Sequence, residues 1–278
     1  MAIIEVEGLC YTYTDSETPS LIDVNFKAEP GEFVLVTGPS GCGKTTFCRA
    51  LNGLIPNSYG GDFKGKVVVD GLSTSSTPVY ELAQRVGLVF QNPENELFCT
   101  TVEREVAFGP ENLALPVEEI AMRVEEALEI VGISHLKEKS PEELSGGEQQ
   151  KVAIAALLAM KPKILVLDEP TANLDPLSAK SVLELMHRLN KNGVTVILVE
   201  HRLEMVSHLV DRCVVFEGGR IVADGSPREV LYSDKVSDLG VGLPKVVQVS
   251  KHLSGIFGEP LRFLTSDELA SYVRGKVP

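Results

Sequence analysis

The sequence predicts an α/β fold with a mixed sheet core, an inserted helical subdomain and a small C-terminal helical extension. Three observations carry that prediction. Short apolar runs, Phe33 to Val36, Val86 to Phe90, Ile164 to Leu167 and Val194 to Val199, read as buried strands separated by segments of helical periodicity. A glycine-rich segment, Gly38 to Thr46, stands directly between the first run and a helical stretch, Thr46 to Leu54. A helical section at 117–132 falls between two sets of strands, and the chain turns helical again after Pro227. The expected division is a main domain over residues 1–233, with the helical subdomain inserted at about 92–160, and an extension over 234–278.

Taken in order, residues 2 to 7 read as a short strand, Tyr11 to Asp15 as a polar loop with two aromatic rings, and Val24 to Ala28 as a half-buried strand. Lys66 to Gly71 follows a glycine-rich stretch, Gly60 to Gly65, as an edge strand and turn. The run Val86 to Phe90 stops at Gln91-Asn92-Pro93, which aims an amide at the carboxyl edge of the sheet, where ligands of α/β folds collect. Ile120, Val124, Leu128 and Val131 line one side of a helix that Gly132 ends. Ser140 to Glu143 has a capping-box pattern with Pro141 at the first helical position, marking a helix start. Leu144 to Gln150 then precedes a helical run from Lys151 to Met160.

Asn173 to Pro176 caps a helix reaching about Asn192, with Val182, Leu185, Met186 and Leu189 on its apolar side and Gly193 as its stop. Cys213 to Phe216 and Arg220 to Ala223 read as a hairpin around Gly218-Gly219. In the extension, Pro244 opens a helix with Val246, Val249, Leu253 and Ile256 on one face. Thr265 to Glu268 forms a further capping box.

Composition narrows the function. A hydrophobic share of 44% and a charged share of 23% describe a chain that buries a core. The formal net charge of −13 argues against a broad basic face for nucleic acid. Five cysteines without a CxxC spacing support neither a zinc site nor a disulfide framework, and a reducing compartment fits them. The first residues lack the basic-then-apolar pattern of a secretory signal. The longest apolar run, Val152 to Met160, is far short of the ~20 residues of a membrane span, so work at a membrane would go through partners.

The chemistry concentrates in one segment. Gly38-Pro39-Ser40-Gly41-Cys42-Gly43-Lys44-Thr45-Thr46 has the spacing of a P-loop in the strand–loop–helix context such a loop requires. Its backbone N–H groups would wrap a polyphosphate, helped by the positive end of the following helix. Lys44 would reach the β and γ phosphates and the Thr45 hydroxyl would bind Mg2+. Asp168 and Glu169 end a buried strand and, as neighbours there, point to opposite faces. Asp168 is therefore a metal holder and Glu169 a general base for water. His201 ends the next strand on the edge where Gln91 and Glu169 also emerge, within range of a γ-phosphate. Gln91 is a candidate metal or water ligand, and one of the two rings in the segment Tyr11 to Asp15 could stack on a base. Ser145, Gly146 and Gly147 lie before a helix and form a second anion-binding end.

Together, the P-loop, Gln91, Leu144-Ser145-Gly146-Gly147, Asp168-Glu169 and His201 resemble, in this order, the nucleotide-binding subunit of ATP-binding-cassette (ABC) systems, over residues 1 to about 233. The resemblance implies a P-loop NTPase that uses ATP and Mg2+. Tyr13 would stack on adenine, Gly38 to Thr46 would hold the phosphates, and Thr45, Gln91 and Asp168 would serve Mg2+. Glu169 would be the base and His201 would contact the γ-phosphate. Asn173 to Asp175 would be the D-loop. It also implies a head-to-tail dimer in which Ser145, Gly146 and Gly147 of one subunit close on the ATP of the other.

A narrower resemblance, to the ATPase of energy-coupling-factor importers for vitamins or transition-metal ions, rests on Phe90 to Phe98, Glu105 to Asn112, Glu200 to Glu204 and the tail around Leu243-Pro244. Two departures are Glu96 and Glu148, each where glutamine is usual. The expectation is an ATP hydrolase at the cytoplasmic face of the cell membrane. Its partners would be a second ABC ATPase, identical or related, a transmembrane coupling subunit and a solute-binding membrane subunit. A soluble ABC switch on ribosome or DNA is the alternative, and the single motif set, the absence of sustained heptads and the acidic charge count against it. A simple P-loop kinase leaves Leu144 to Gly147 and His201 without a role.

Overall fold

The computed structural model describes residues 2–92 and 97–276. Of the segment Phe90 to Phe98, Pro93 to Glu96 therefore lies outside the described residues, and the Glu96 departure with it. An antiparallel sheet, in the order β2-β1-β4-β5, comprises β1 (Ile4–Tyr13), β2 (Leu21–Ala28), β4 (Gly61–Val69) and β5 (Leu72–Ser73). A six-stranded sheet, in the order β10-β9-β3-β8-β7-β6, comprises β3 (Phe33–Thr37), β6 (Val86–Val89), β7 (Ile164–Asp168), β8 (Thr195–Val199), β9 (Arg212–Glu217) and β10 (Arg220–Gly225). Its neighbours are parallel except for the β9–β10 hairpin, so it is mixed, as expected.

Helices α1 (Lys44–Leu51), α2 (Leu54–Asn57) and α3 (Val79–Leu82) come before β6. Three longer ones, α4 (Val102–Asn112), α5 (Val117–Val131) and α6 (Gly146–Ala159), fall between β6 and β7, which are sheet neighbours. Six more complete the chain: α7 (Pro176–Lys191), α8 (Leu203–Val206), α9 (Pro227–Tyr232), α10 (Asp234–Asp238), α11 (Lys245–Phe257) and α12 (Ser266–Lys276).

The larger sheet divides the apolar interior in two. Alternate side chains of a strand leave opposite faces, so consecutive residues serve different cores. Val34, Val36, Val166, Ile197, Val199, Val214 and Phe216 pack with β1, β2 and the α1 residues Phe47 and Leu51. Phe33, Leu35, Leu165, Leu167, Val196, Leu198 and Val215 pack with α4 to α7 on the other side. Burial on both faces is why these strands read as unbroken apolar runs rather than alternating ones. Each such side chain contributes about 1.5–3 kcal/mol. Val236, Val246, Val247 and Leu264 of the 234–278 segment join the helical-side core.

Several expectations shift. The region of Tyr11 to Tyr13 is strand rather than loop, because Tyr11 is fully buried and pairs with Phe63 and Leu21. The strand expected from Lys66 already begins at Gly61, and only its last two residues, Val68 and Val69, pair with β5. The helix after the P-loop covers Lys44–Leu51 and stops early at Gly53, φ 79°. The Ser140 box starts only a 3-10 turn, Pro141–Glu143. The helix expected from Lys151 begins five residues earlier, at Gly146, because Ser145 and Glu148 cap it. Gly146 and Gly147 thus form its first turn rather than a loop ahead of it. In α11, Val246 is buried as expected, but Val249 and Ile256 are exposed, and Val247 and Ser250 are buried instead.

Candidate nucleotide site

Topology brings the strand-end residues together. β3, β7 and β8 are parallel neighbours, so Gly38, Asp168-Glu169 and Glu200-His201 emerge on one edge, and β6 adds Gln91 beside β7. A cleft of about 350 Å3 lies over them, lined by Ser20, Ser40, Gly41, Gly43, Lys44, Thr45, Thr46, Gln91 and Glu169. The α1 end carries no side-chain cap, and Gly43 precedes it at φ 104°. Its first N–H groups are therefore available to an anion.

The P-loop glycines are required for different reasons. A Cβ on Gly38 would lie 2.1 Å from the Phe216 carbonyl oxygen, and one on Gly43 2.4 Å from that of Ser20. The tightness at these two positions comes from the protein's own backbone. Gly41 faces open space, and only its φ of 75° favours glycine. Lys44, 5% exposed, donates from Nζ to the carbonyls of Gly38 (3.0 Å) and Pro39 (2.8 Å), which holds the ammonium across the loop. Burial raises the Cys42 thiol, with Lys44 opposing, so this cysteine stays protonated.

Opposite the loop, Glu169 accepts from Gln91 Nε2 at 3.1 Å, and its other oxygen lies 3.0 Å from His201 Nε2. Glu169 sits at φ 53°, a left-handed conformation costing about 1–2 kcal/mol for a non-glycine residue. That turn separates it from Asp168, the last residue of β7. Asp168 is buried, and desolvation raises its carboxyl pKa, with a hydrogen bond from the Thr45 side chain and the cations Arg49 and Lys44 pulling the other way. Its Oδ1 is buried without a partner. An orphaned carboxylate oxygen on a residue that a hydroxyl also reaches is a hard-oxygen donor set, and it fits Mg2+.

The remaining predicted residues lie around this centre. The Tyr13 hydroxyl is 3.2 Å from Thr46 Oγ1. Ser145, Gly146 and Gly147 are not in the cleft; Gly146 lines a separate concavity with Leu97, Pro141, Glu142, Leu144 and Gln149. A Cβ on Gly147 would lie 2.6 Å from Ser178 Oγ of α7, so glycine lets the two helices close up there.

Two residues missed as site parts are Glu200 and Arg202. Glu200, 2% exposed, accepts from the N–H groups of His201 (2.8 Å) and Arg202 (3.0 Å) and from the Thr171 hydroxyl. Arg202 donates to the carbonyls of Leu174 and Ala172, the first at 3.1 Å, pinning the segment Asn173 to Asp175 to the residue after His201. Asn173 also donates to Asn92 at 2.6 Å, beside Gln91. The polar run Glu200-His201-Arg202 was the only signal, and charged residues at a strand end read as solvated.

An uncapped helix end under a glycine loop, with a buried carboxylate and a base-like carboxylate across from it, defines a P-loop nucleoside-triphosphate hydrolase. A family model described as ABC transporter matches residues 21–172. The chain belongs to the ABC transporter family as its ATP-binding subunit. An ABC transporter ATP-binding protein of Pyrococcus abyssi is 49% identical over 255 residues, 91% of each chain. The energy-coupling factor transporter ATP-binding protein EcfA of Methanothermobacter thermautotrophicus is 41% identical over 254 residues, 90% of this chain and 80% of that one. In a longer Methanosarcina acetivorans relative, 47% identical, the match occupies 42% of the relative.

Among solved structures, cbiO1 of Clostridium perfringens, part of the ABC transporter complex cbiONQ, is 35% identical with a TM-score of 0.76, covering 90% of this chain and 99% of that one. An ATP-binding cassette solved as a dimer bound to ADP and Pi is 29% identical with a TM-score of 0.71, covering 81% and 99%. The chain is thus an ATPase of a transporter, of a family whose cassettes dimerise. Among its described residues no helix is long and apolar enough to cross a membrane.

Proposed function

We propose that this chain is the ATPase of an energy-coupling-factor importer, acting at the cytoplasmic face of the membrane on a vitamin or transition-metal ion. The observation that carries this reading is the extent of the likeness to EcfA. A match of 254 residues cannot leave the whole of 234–278 outside it, so the similarity runs past the cassette into the extension. The likeness to cbiO1, at 90% of the chain, supports the same reading. The divisions 1–233, 92–160 and 234–278 are proposed as the functional units.

Within the site, Gly38, Pro39, Ser40, Gly41, Cys42, Gly43, Lys44, Thr45 and Thr46 hold the phosphates and Tyr13 the adenine. Thr45, Gln91 and Asp168 would hold Mg2+, which when bound neutralises phosphate charge. Glu169 takes the proton of the attacking water. Gln91 and His201, each bonded to one of its oxygens, fix the direction in which it accepts. Ser145, Gly146 and Gly147 act on the partner's ATP. The partners are a second ATPase, a coupling membrane subunit and a solute-binding membrane subunit.

The test is to tag the chain in its native cell, solubilise the membranes gently and identify what co-purifies. Recovery of a multi-span subunit together with a small solute-binding one is expected. Recovery only away from membranes, with ribosomes or nucleic acid, would overturn the importer reading.

A further inference from the structure

The Tyr13 ring is anchored through its hydroxyl as well as by packing. That hydroxyl accepts a 3.1 Å hydrogen bond from Arg49 Nη1 and lies 3.2 Å from Thr46 Oγ1. The same guanidinium stands 4.5 Å from the centroid of Tyr59. Tyr59 meets the Tyr13 ring edge to face at 6.2 Å, and Tyr11 does so at 4.8 Å. The Tyr11 hydroxyl is in turn fixed to the Gly60 carbonyl at 2.8 Å. Arg49 Nε is buried without a hydrogen-bond partner, so its contacts with Tyr13 and Tyr59 set the orientation of the guanidinium. Arg49 belongs to α1, the helix whose first turn carries Lys44, Thr45 and Thr46.

We infer that Arg49 is a positioning residue for the nucleotide base. It holds the Tyr13 ring in one orientation and ties it to the helix that grips the phosphates, fixing the spacing between base and phosphate subsites. A ring ordered in advance loses less freedom when a base arrives, a saving worth about two- to tenfold in affinity for one side chain. Only a guanidinium fits this place. Its plane can lie over Tyr59 while an in-plane N–H donates to Tyr13, and an ammonium presents a single point for both. The inference rests on the assignment of Tyr13 to the base.

The readout is the ratio of ATP affinity to tripolyphosphate affinity, measured by calorimetry on the full chain with Mg2+. Loss of charge or general loosening lowers both affinities, whereas misplacement of the ring lowers only the first. Arg49→Ala and Tyr13→Phe are each expected to cut the ratio about three- to tenfold, and the double variant no further than the worse single one. Arg49→Lys keeps the charge and is expected to fall with them. Arg49→Lys and Tyr13→Phe remove little volume, so they report even where Arg49→Ala unfolds. Tyr13→Ala separates the two claims. If it lowers the ratio while the Arg49 variants and Tyr13→Phe leave it unchanged, the positioning role is overturned and the base assignment stands. If Tyr13→Ala leaves the ratio unchanged, the base assignment falls and the inference with it.

Discussion

The α1 and α6 ends use one physical resource, the unpaired N–H groups of a first helical turn, in opposite ways. At α1 the preceding residue is a left-handed glycine with no cap, and a lysine stands over the loop. At α6 the chain occupies its own cap. The Glu148 carboxylate accepts from Ser145 N–H at 2.8 Å and from Ser145 Oγ at 2.7 Å. These two bonds, the hydroxyl one first, lower the Glu148 pKa and keep it ionised. One end is open and cationic; the other is capped through Ser145 and Glu148 and carries a negative charge where glutamine would be neutral. On the proposed reading, such a chain holds its own nucleotide through α1, and α6 serves the nucleotide of a second subunit.

The largest test of this asymmetry is chemical. Glu169→Gln is expected to lower ATP turnover by about 100-fold or more while retaining ATP binding, and Lys44→Ala to lose binding itself. Single-turnover kinetics and a nucleotide-binding titration distinguish the two. Equal turnover in Glu169→Gln would remove the base from this site.

Next in size is a pair within the loop. Gly38→Ala drives a methyl into a carbonyl and is expected to cost about 3–5 kcal/mol of stability. Gly41→Ala meets open space and pays only for its left-handed φ, about 1–2 kcal/mol. Urea unfolding of the two variants measures the gap. Similar losses would mean that the loop relaxes where its packing says it cannot.

The smallest effect falls on α6. Glu148 is half-buried, its folded pKa is depressed by its bonds to Ser145, and its capping contribution is therefore present above the ordinary carboxylate range and lost as pH falls through the folded pKa. Glu148→Gln should melt slightly below the wild type at neutral pH, and the difference should vanish on acidification. On the proposed reading, in which Ser145 to Gly147 meet the partner's ATP, the same variant should hydrolyse ATP a few-fold faster in the dimer, because a negative charge beside that site is gone. Slower hydrolysis would show that the carboxylate helps rather than hinders closure.

Much of this was legible in the sequence because the informative signals are local. The P-loop spacing, the apolar runs buried on both faces, the Gly218-Gly219 hairpin and the helix stops at Gly132 and Gly193 each follow from a few adjacent residues. The strand ends carrying Gln91, Glu169 and His201 could be placed on one edge because parallel strands share a direction, and the structure bonds these three side chains together. What sequence reading missed depends on distant partners. Glu200 is buried because Thr171 and two local N–H groups receive it. Gly38 is required by Phe216, far along the chain. Tyr11 reads as a polar-loop residue until Leu21 and Phe63 flank it. The Gly146 helix start was missed because two glycines discourage a helix, and the Ser145–Glu148 cap outweighs them.

The partition of the interior by the six-stranded sheet has an evolutionary consequence. Phe33 and Val34 are adjacent in the chain yet answer to different layers, so a substitution at one is felt on one side of the sheet. The layer that encloses Phe47 and the P-loop helix can stay fixed while the layer of α4 to α7 is redrawn residue by residue. A lineage that keeps the P-loop layer insulated in this way is free to repack the helices on the other side of the sheet.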